Sequence, residues 1–341
     1  MNAKQLLEKL YQQKDLSSEE IQFLLESCVN NEMTDSQIAA FLIGLRIKGE
    51  TVEEISGLIQ GMRKHIVAFP EFPNAIDTCG TGGDGSGTFN ISTTVAFVVA
   101  GAGVSVAKHG NKAASSKCGS ADVLVELGVN IILSPEQAKE VLRKVGMVFL
   151  FAPLYHPAMK RIGPIRKELG TRTVFNFLGP FLNPAKVKKQ LIGIPNVELA
   201  KTLAKVAACL GYENLLLVTS DSGMDEIALS ETTQVFEIKG EKIVQKTVNP
   251  QKLGFKKVSS DAIGGGNVIE NAKIIMDILN GVKSTNRDIV VLNSAYALTV
   301  AGKVSTVQEG IVIAEKSIDS GAAKKVLENL RKESQKYAEK E

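Results

Sequence analysis

The 341-residue chain has no tryptophan, five tyrosines and thirteen phenylalanines. So few rings argue against an aromatic platform for single-stranded nucleic acid, where each bound base needs a face to stack on. An excess of charge of one sign is also absent: 40 basic against 37 acidic residues leaves +3. A field that weak draws no polyanion, so any anion site must be local. The four cysteines, Cys28, Cys79, Cys118 and Cys209, are too few and too scattered for a disulfide framework or paired zinc knuckles, which favours a reducing, cytoplasmic setting. No segment approaches the roughly eighteen apolar residues of a membrane span. The start, MNAKQLLEKLYQQKD, lacks the apolar run of a secretion signal. The expectation is of a chain with neither a membrane nor a nucleic-acid partner. What remains, 44% apolar and 23% charged, is enough to bury a large core.

Residues 1–66 carry only helical punctuation. Ser17-x-x-Glu20, Thr34-x-x-Gln37 and Thr51-x-x-Glu54 match the capping box, and Ile38, Phe41, Leu42 and Leu45 share one helical face that ends before Gly49. Four helices are expected, with too few residues for a secure core of their own. After the connector Phe69-Pro70-Glu71-Phe72-Pro73, apolar strand-like runs alternate with helical stretches. Strands are predicted at Ala75–Cys79, Val104–Ala107, Val129–Leu133, Met147–Phe151, Leu191–Ile194 and Asn214–Thr219, with helices between them, such as Asn90–Gly101 and about Ser115–Leu127. Such alternation implies an α/β fold with a mostly parallel central sheet flanked by helices. Thr233–Ile238 and Ile243–Val248, joined through Lys239-Gly240, read as an antiparallel hairpin, and the last 75 residues read as helical.

The densest glycine cluster lies between the first predicted strand and the next helix. Gly80-Thr81-Gly82-Gly83-Asp84-Gly85-Ser86-Gly87 holds five glycines in eight positions, which leaves main-chain N–H groups free to curl round an anion. A flexible turn is the plainer reading, but the place after a strand and before a helix favours a phosphate. Gly80-x-Gly82-x-x-Gly85 has the spacing of a dinucleotide fingerprint. The acidic residue expected about twenty positions on is missing, replaced by Val106-Ala107-Lys108-His109. No lysine follows Gly85, so the ATP-type phosphate loop fails as well. Asp84 within the cradle would repel a bare diphosphate and suits one carrying a divalent cation. Lys108-His109-Gly110-Asn111 ends the second strand, on the side of an open sheet where ligands bind. Asp225-Glu226 follows a later strand and can approach one hard cation. Arg161, Arg166, Lys167 and Arg172 put four cations in twelve residues, either a solvated face or a fork for a carboxylate.

Those segments, with Gly119-Ser120-Ala121-Asp122-Val123-Leu124, His156-Pro157-Ala158-Met159, Arg172-Thr173-Val174-Phe175-Asn176 and Leu178-Gly179-Pro180, resemble the anthranilate phosphoribosyltransferase family along nearly the whole chain. That family shares its fold with class II nucleoside phosphorylases. The resemblance implies a homodimer whose small helical domain, residues 1–66 completed by about 160–185, packs on a large α/β domain of residues 74–159 and 186–341. It implies phosphoribosyl pyrophosphate and anthranilate as substrates, and two Mg²⁺ ions. It places Gly80, Gly82, Gly83, Asp84, Thr88, Asn90, Ser92, Thr93, Lys108 and Ser120 on phosphoribosyl pyrophosphate. Gly80, Asn111 and Arg166 fall on anthranilate, and Ser92, Asp225 and Glu226 on metal. Leu182 and Val125 depart from the pattern at positions that this chemistry does not use. A pyrimidine nucleoside phosphorylase of the same fold fits the glycine motif less well. A nucleic-acid-binding relative is disfavoured by the intact motifs and the low charge.

Overall fold

A computed structural model describes residues 1–70, 72–113 and 117–338. It begins with α1 (Ala3–Tyr11), α2 (Ser18–Val29), α3 (Asp35–Lys48) and α4 (Val52–Lys64). Ser17, Thr34 and Thr51 accept from the main-chain N–H of Glu20, Gln37 and Glu54, and those side chains return the bond. All three capping boxes are therefore real, each satisfying two orphan donors of a helix start. Gly49 closes α3 with φ +87°, a conformation that costs glycine little. Glu54 also joins loops: one oxygen accepts from Leu16 N at 2.9 Å and the other pairs with Lys48 Nζ at 2.9 Å.

The alternation then runs β1 (Ile76–Gly80), α5 (Ile91–Gly101), β2 (Val106–Gly110), α6 (Ser120–Glu126), α7 (Pro135–Val145), β3 (Met147–Phe151), α8 (Ala152–Tyr155), α9 (Met159–Leu169) and α10 (Phe175–Leu178). It continues with β4 (Lys189–Gly193), α11 (Val197–Cys209), β5 (Asn214–Ser220), β6 (Thr233–Lys239) and β7 (Lys242–Val248). Four helices close the chain: α12 (Val268–Leu279), α13 (Thr285–Ala301), α14 (Val307–Asp319) and α15 (Ala322–Gln335). The seven strands form one sheet in the order β3-β2-β1-β4-β5-β6-β7. β1 to β5 are parallel, and β6 and β7 add an antiparallel hairpin. Lys239 pairs with Lys242, so the hairpin loop is Gly240-Glu241, one residue later than the sequence suggests.

One expected strand does not form. Residues 129–133 keep a strand-like alternation, with Val129, Ile131 and Leu133 buried and Ile132 55% exposed. Their main chain has no neighbouring strand; Asn130 N instead donates to Ser334 Oγ of α15 at 3.1 Å. Period-two burial under a helix therefore imitates a strand. The predicted helix from about 115 begins at Ser120, and residues 115 and 116 lie outside the described residues.

Alternate strand residues feed opposite faces of the sheet. Leu191, Leu216, Val218 and Val235 join the core that holds α5 and α13, whereas Ile192, Leu215, Leu217 and Phe236 join the core that holds α11. That second core also contains the inner faces of α1 to α4 together with Ala158, Ile162, Ile165, Val174 and Phe175. The first four helices thus bury their apolar stripe against α9, α10 and the sheet, as their small size requires. Leu182 packs in the same core and Val125 is exposed, so both departures from the family pattern are accommodated.

Candidate functional site

The chain builds outward from β1 to β2 and β3, then returns to lay β4 on the other side of β1. This reversal opens a crevice beyond the strand ends, the usual place for a ligand in an open α/β sheet. Gly80 and Gly193 are register partners at that point. Both keep room for the Asp225 segment: a Cβ on Gly80 would lie 2.3 Å from Asp225 Oδ2, and one on Gly193 would lie 1.5 Å from Asp225 O. The sequence pointed to Gly80; Gly193 was missed, although a glycine inside an apolar strand commonly marks a close main-chain approach.

Within the loop after β1, Gly82, Gly83, Gly85 and Gly87 all have positive φ, between +64° and +73°, a path that side-chain-bearing residues rarely follow. The far limb is fixed by a bridge from Thr88 to Gly264 and by Gly265 N donating to Gly87 O at 2.8 Å. Gly265 is a second glycine the sequence reading did not single out; its Cβ would meet Thr88 O at 2.7 Å.

Acidic and basic groups meet across this loop. Gly82 N donates to Asp225 Oδ2 at 2.8 Å, and Asp225 N donates to Asp84 Oδ2 at 3.3 Å. Burial, then the neighbouring Asp84 carboxylate, push the Asp225 carboxyl up to about 7. Burial and then Asp225 drive Glu226 well above the usual carboxylate range. Burial raises Asp77 as well, and the Lys108 ammonium offsets part of the rise at both Glu226 and Asp77. Lys108 is only 2% exposed, and its ammonium donates to Thr78 O and, at 3.3 Å, to Ser92 Oγ. Thr78 Oγ1 in turn donates to Ser92 O at 3.0 Å, tying the end of β1 to the first turn of α5.

The adjacent Asp225 and Glu226 carboxyls, both raised and with the Asp84 carboxylate beside them, suit a hard divalent cation, whose charge would relieve their mutual repulsion. Among the described residues, no three His, Cys, Asp or Glu side chains already form a cage. Mg²⁺ is commonly held by one or two carboxylates together with waters and substrate oxygens.

The remaining expected residues sit on or beside α5, β2, α6 and α9. Asn90 precedes α5; its N–H donates to Asn271 Oδ1 at 3.2 Å and its Nδ2 to Cys118 O at 3.3 Å. Thr93 is 1% exposed and its buried hydroxyl has no partner. Ser120 Oγ donates to Asn111 O at 3.3 Å, across a loop clamped by Asp122, which accepts from Ala113 N and Gly119 N at 2.9 Å each. Arg166 on α9 lies 5.6 Å over the Phe175 ring and donates to Asn176 Oδ1 at 3.3 Å. Its buried Nε has no partner, and burial pulls its pKa below the usual guanidinium value. A part-satisfied guanidinium of this kind is fitted to a carboxylate. Among the described residues Arg166 makes no polar contact with Asn111 or the glycine loop. Arg161, by contrast, is anchored away from the site, paired with Asp35 and donating to Met33 O at 3.1 Å.

His109 and His156 face each other with Nε2 atoms 2.9 Å apart, both buried. Burial, then the partner ring, lower His109 to about 3, and burial lowers His156 to about 4, so the pair is uncharged near neutrality.

The chain is thus a helical bundle packed on an α/β body, with a glycine-rich loop and acidic residues meeting at the strand-order reversal. The chain matches the glycosyl transferase family, helical bundle domain, over residues 4–66 and the glycosyl transferase family, a/b domain, over residues 72–324. An anthranilate phosphoribosyltransferase from Persephonella marina is 47% identical over 331 residues, 96% of this chain and 98% of that protein. The crystal structure of the Thermus thermophilus anthranilate phosphoribosyltransferase is 35% identical, with a TM-score of 0.91 over 98% of this chain and 100% of that one. The Saccharomyces cerevisiae enzyme, solved with PRPP and Mg, is 29% identical with a TM-score of 0.89, covering 98% of both chains. The same yeast enzyme has also been solved with 4-fluoroanthranilate, at a TM-score of 0.86 and 27% identity over 98% of this chain and 99% of that one. The chain belongs to the anthranilate phosphoribosyltransferase family.

Proposed function

We infer that this chain transfers the phosphoribosyl group of 5-phosphoribosyl 1-pyrophosphate to the amine of anthranilate. The products are N-(5-phosphoribosyl)anthranilate and pyrophosphate, in a step of tryptophan biosynthesis. The observation that carries the reading is the convergence of the glycine loop, Lys108 and the Asp84, Asp225 and Glu226 carboxylates at the strand-order reversal. Gly80, Gly82, Gly83, Asp84 and Thr88 cradle the diphosphate, and Asn90, Ser92, Thr93, Lys108 and Ser120 hold the substrate's phosphates. Ser92, Asp225 and Glu226 would hold two Mg²⁺ ions, which when bound neutralise charge on the diphosphate. Gly80, Asn111 and Arg166 receive anthranilate, the guanidinium gripping the carboxylate.

The new N–C1 bond forms as the C1–O bond to pyrophosphate breaks, and the amine sheds one proton. An aromatic amine is neutral at pH 7, so the chain needs no strong general base to free its lone pair. Its own contribution is orientation of two substrates and preorganised donors, Lys108 and the loop N–H groups, for the departing charge. Residues 1–66 with about 160–185 form the small domain; 74–159 and 186–341 form the large one. The shared core of α1 to α4 with α9 and α10 supports that division. Two copies pair as a homodimer through the helical domain, where Tyr11 and Ile47 are 60% and 71% exposed. The yeast relative solved with PRPP and Mg, and again with 4-fluoroanthranilate, supports the substrates and the ion.

Anthranilate fluorescence followed with phosphoribosyl pyrophosphate and Mg²⁺ tests the reaction. Loss of the signal that depends on all three components is expected. No loss, with phosphorolysis of uridine instead, would assign the chain to the phosphorylase branch of the fold.

A further inference from the structure

We propose that Arg172 is a positioning residue of this reaction: by holding the carbonyls of Gly82 and Gly83 it aims the N–H groups of Gly83 and Asp84 at the diphosphate. The inference rests on the proposed role of the glycine loop and adds a residue to it. Arg172 Nη2 donates to Gly82 O at 3.0 Å and Nη1 donates to Gly83 O at 2.9 Å. A carbonyl and the next residue's N–H belong to one planar trans peptide and point in opposite directions. A fork that fixes two successive carbonyls therefore fixes the direction of the two N–H groups that follow them.

Those two N–H groups have no hydrogen-bond partner among the described residues, whereas Gly82 N is taken by Asp225 and Ser86 N by Asp84. Gly82 and Gly83, at φ +70° and +73°, would otherwise let their peptide planes turn with little resistance. Donors that must be aimed anew at each binding event lose affinity to that ordering, so a fixed fork is advantageous.

Arg172 itself is exposed, and among the described residues these carbonyls are its only polar partners. An exposed arginine held in two bonds by main chain, with no acidic partner, has a purpose beyond solvation. The approach requires a glycine opposite: a Cβ on Gly83 would lie 2.3 Å from Nη2. Lysine cannot reproduce the geometry, since an ammonium presents no planar fork.

The test compares wild type with Arg172→Ala, Arg172→Gln and Arg172→Lys. All three variants should raise the KM for phosphoribosyl pyrophosphate about tenfold or more, the range set by charge-assisted hydrogen bonds. The anthranilate KM should stay within about twofold. Melting temperatures should stay within about 2 °C of wild type. Methylguanidinium should restore part of the loss in Arg172→Ala. Calorimetric titration with pyrophosphate and Mg²⁺ should weaken by the same factor. An unchanged pyrophosphate affinity, an equal rise in both KM values, or full function in Arg172→Lys would overturn the proposal. If Arg172→Ala misfolds, Arg172→Lys decides alone. Wild type that binds pyrophosphate but turns over no anthranilate would refute the assigned reaction and leave the loop to be judged by the titrations.

Discussion

Replacing Arg166 by alanine removes a half-buried guanidinium whose buried Nε lacks a partner. The expected outcome is a rise of roughly tenfold or more in the anthranilate KM, as for a lost charge-assisted bond, with the KM of phosphoribosyl pyrophosphate nearly unchanged. The reverse pattern in steady-state kinetics would detach Arg166 from the acceptor. The histidine pair makes a prediction about stability. With folded values of about 3 and about 4 against an ordinary 6.5, His109 and His156 stay neutral in the fold while the unfolded chain takes up protons below pH 6.5. The unfolded state then binds more protons, so stability is unaffected above pH 6.5 and falls as pH drops from 6.5 toward 4. Each histidine contributes up to about 1.4 kcal/mol per pH unit. Denaturant unfolding at several pH values should show a shallower acid loss in the His109→Asn, His156→Asn double variant; an equal slope would contradict the depressed values.

Strand ends decide how the site is assembled. Gly193→Ala would set a methyl group 1.5 Å from Asp225 O, and β4 lies inside the sheet where neither strand nor loop yields easily. A stability loss of about 1–3 kcal/mol is expected, typical of overpacking at a buried contact. Activity should fall further than stability explains, measured at a temperature where the variant is still folded. Much of this level was legible beforehand. Ser17, Thr34 and Thr51 announced helix starts because capping is a local bond between residues three apart. Gly82 to Gly87 announced a tightly turning loop because positive φ is a local demand on residue type. Gly193, Gly265 and Arg172 were not assigned because their meaning lies in residues far along the chain; Arg172 reaches Gly82 across 90 positions. Residues 129–133 misled for a related cause: burial by α15 produces the same alternation as burial in a sheet.

On the scale of the whole molecule, the two cores meet at the sheet, so the helical bundle and the α/β body share β4, β5 and β6 rather than standing apart. The segment after α9 is tied to the glycine loop by Arg172, which bonds to Gly82 and Gly83. Among the described residues no helix is long and apolar enough to cross a membrane. If Tyr11 and Ile47 are covered by a second copy, sedimentation should give twice the 36.6 kDa chain mass. Tyr11→Lys with Ile47→Lys should shift it toward the single chain, and a wild-type monomer at micromolar concentration would remove the pairing.

The central claim is that the loop after β1 and the acidic residues after β5 together grip a magnesium-loaded diphosphate. Titration calorimetry of wild type with phosphoribosyl pyrophosphate tests it most directly, run with excess Mg²⁺, without Mg²⁺, and with the Asp225→Asn, Glu226→Gln variant. The account predicts measurable binding that needs Mg²⁺ and weakens about tenfold or more in the variant, as expected when metal ligands are lost. No association in excess Mg²⁺, or association of equal strength without the ion, would contradict it.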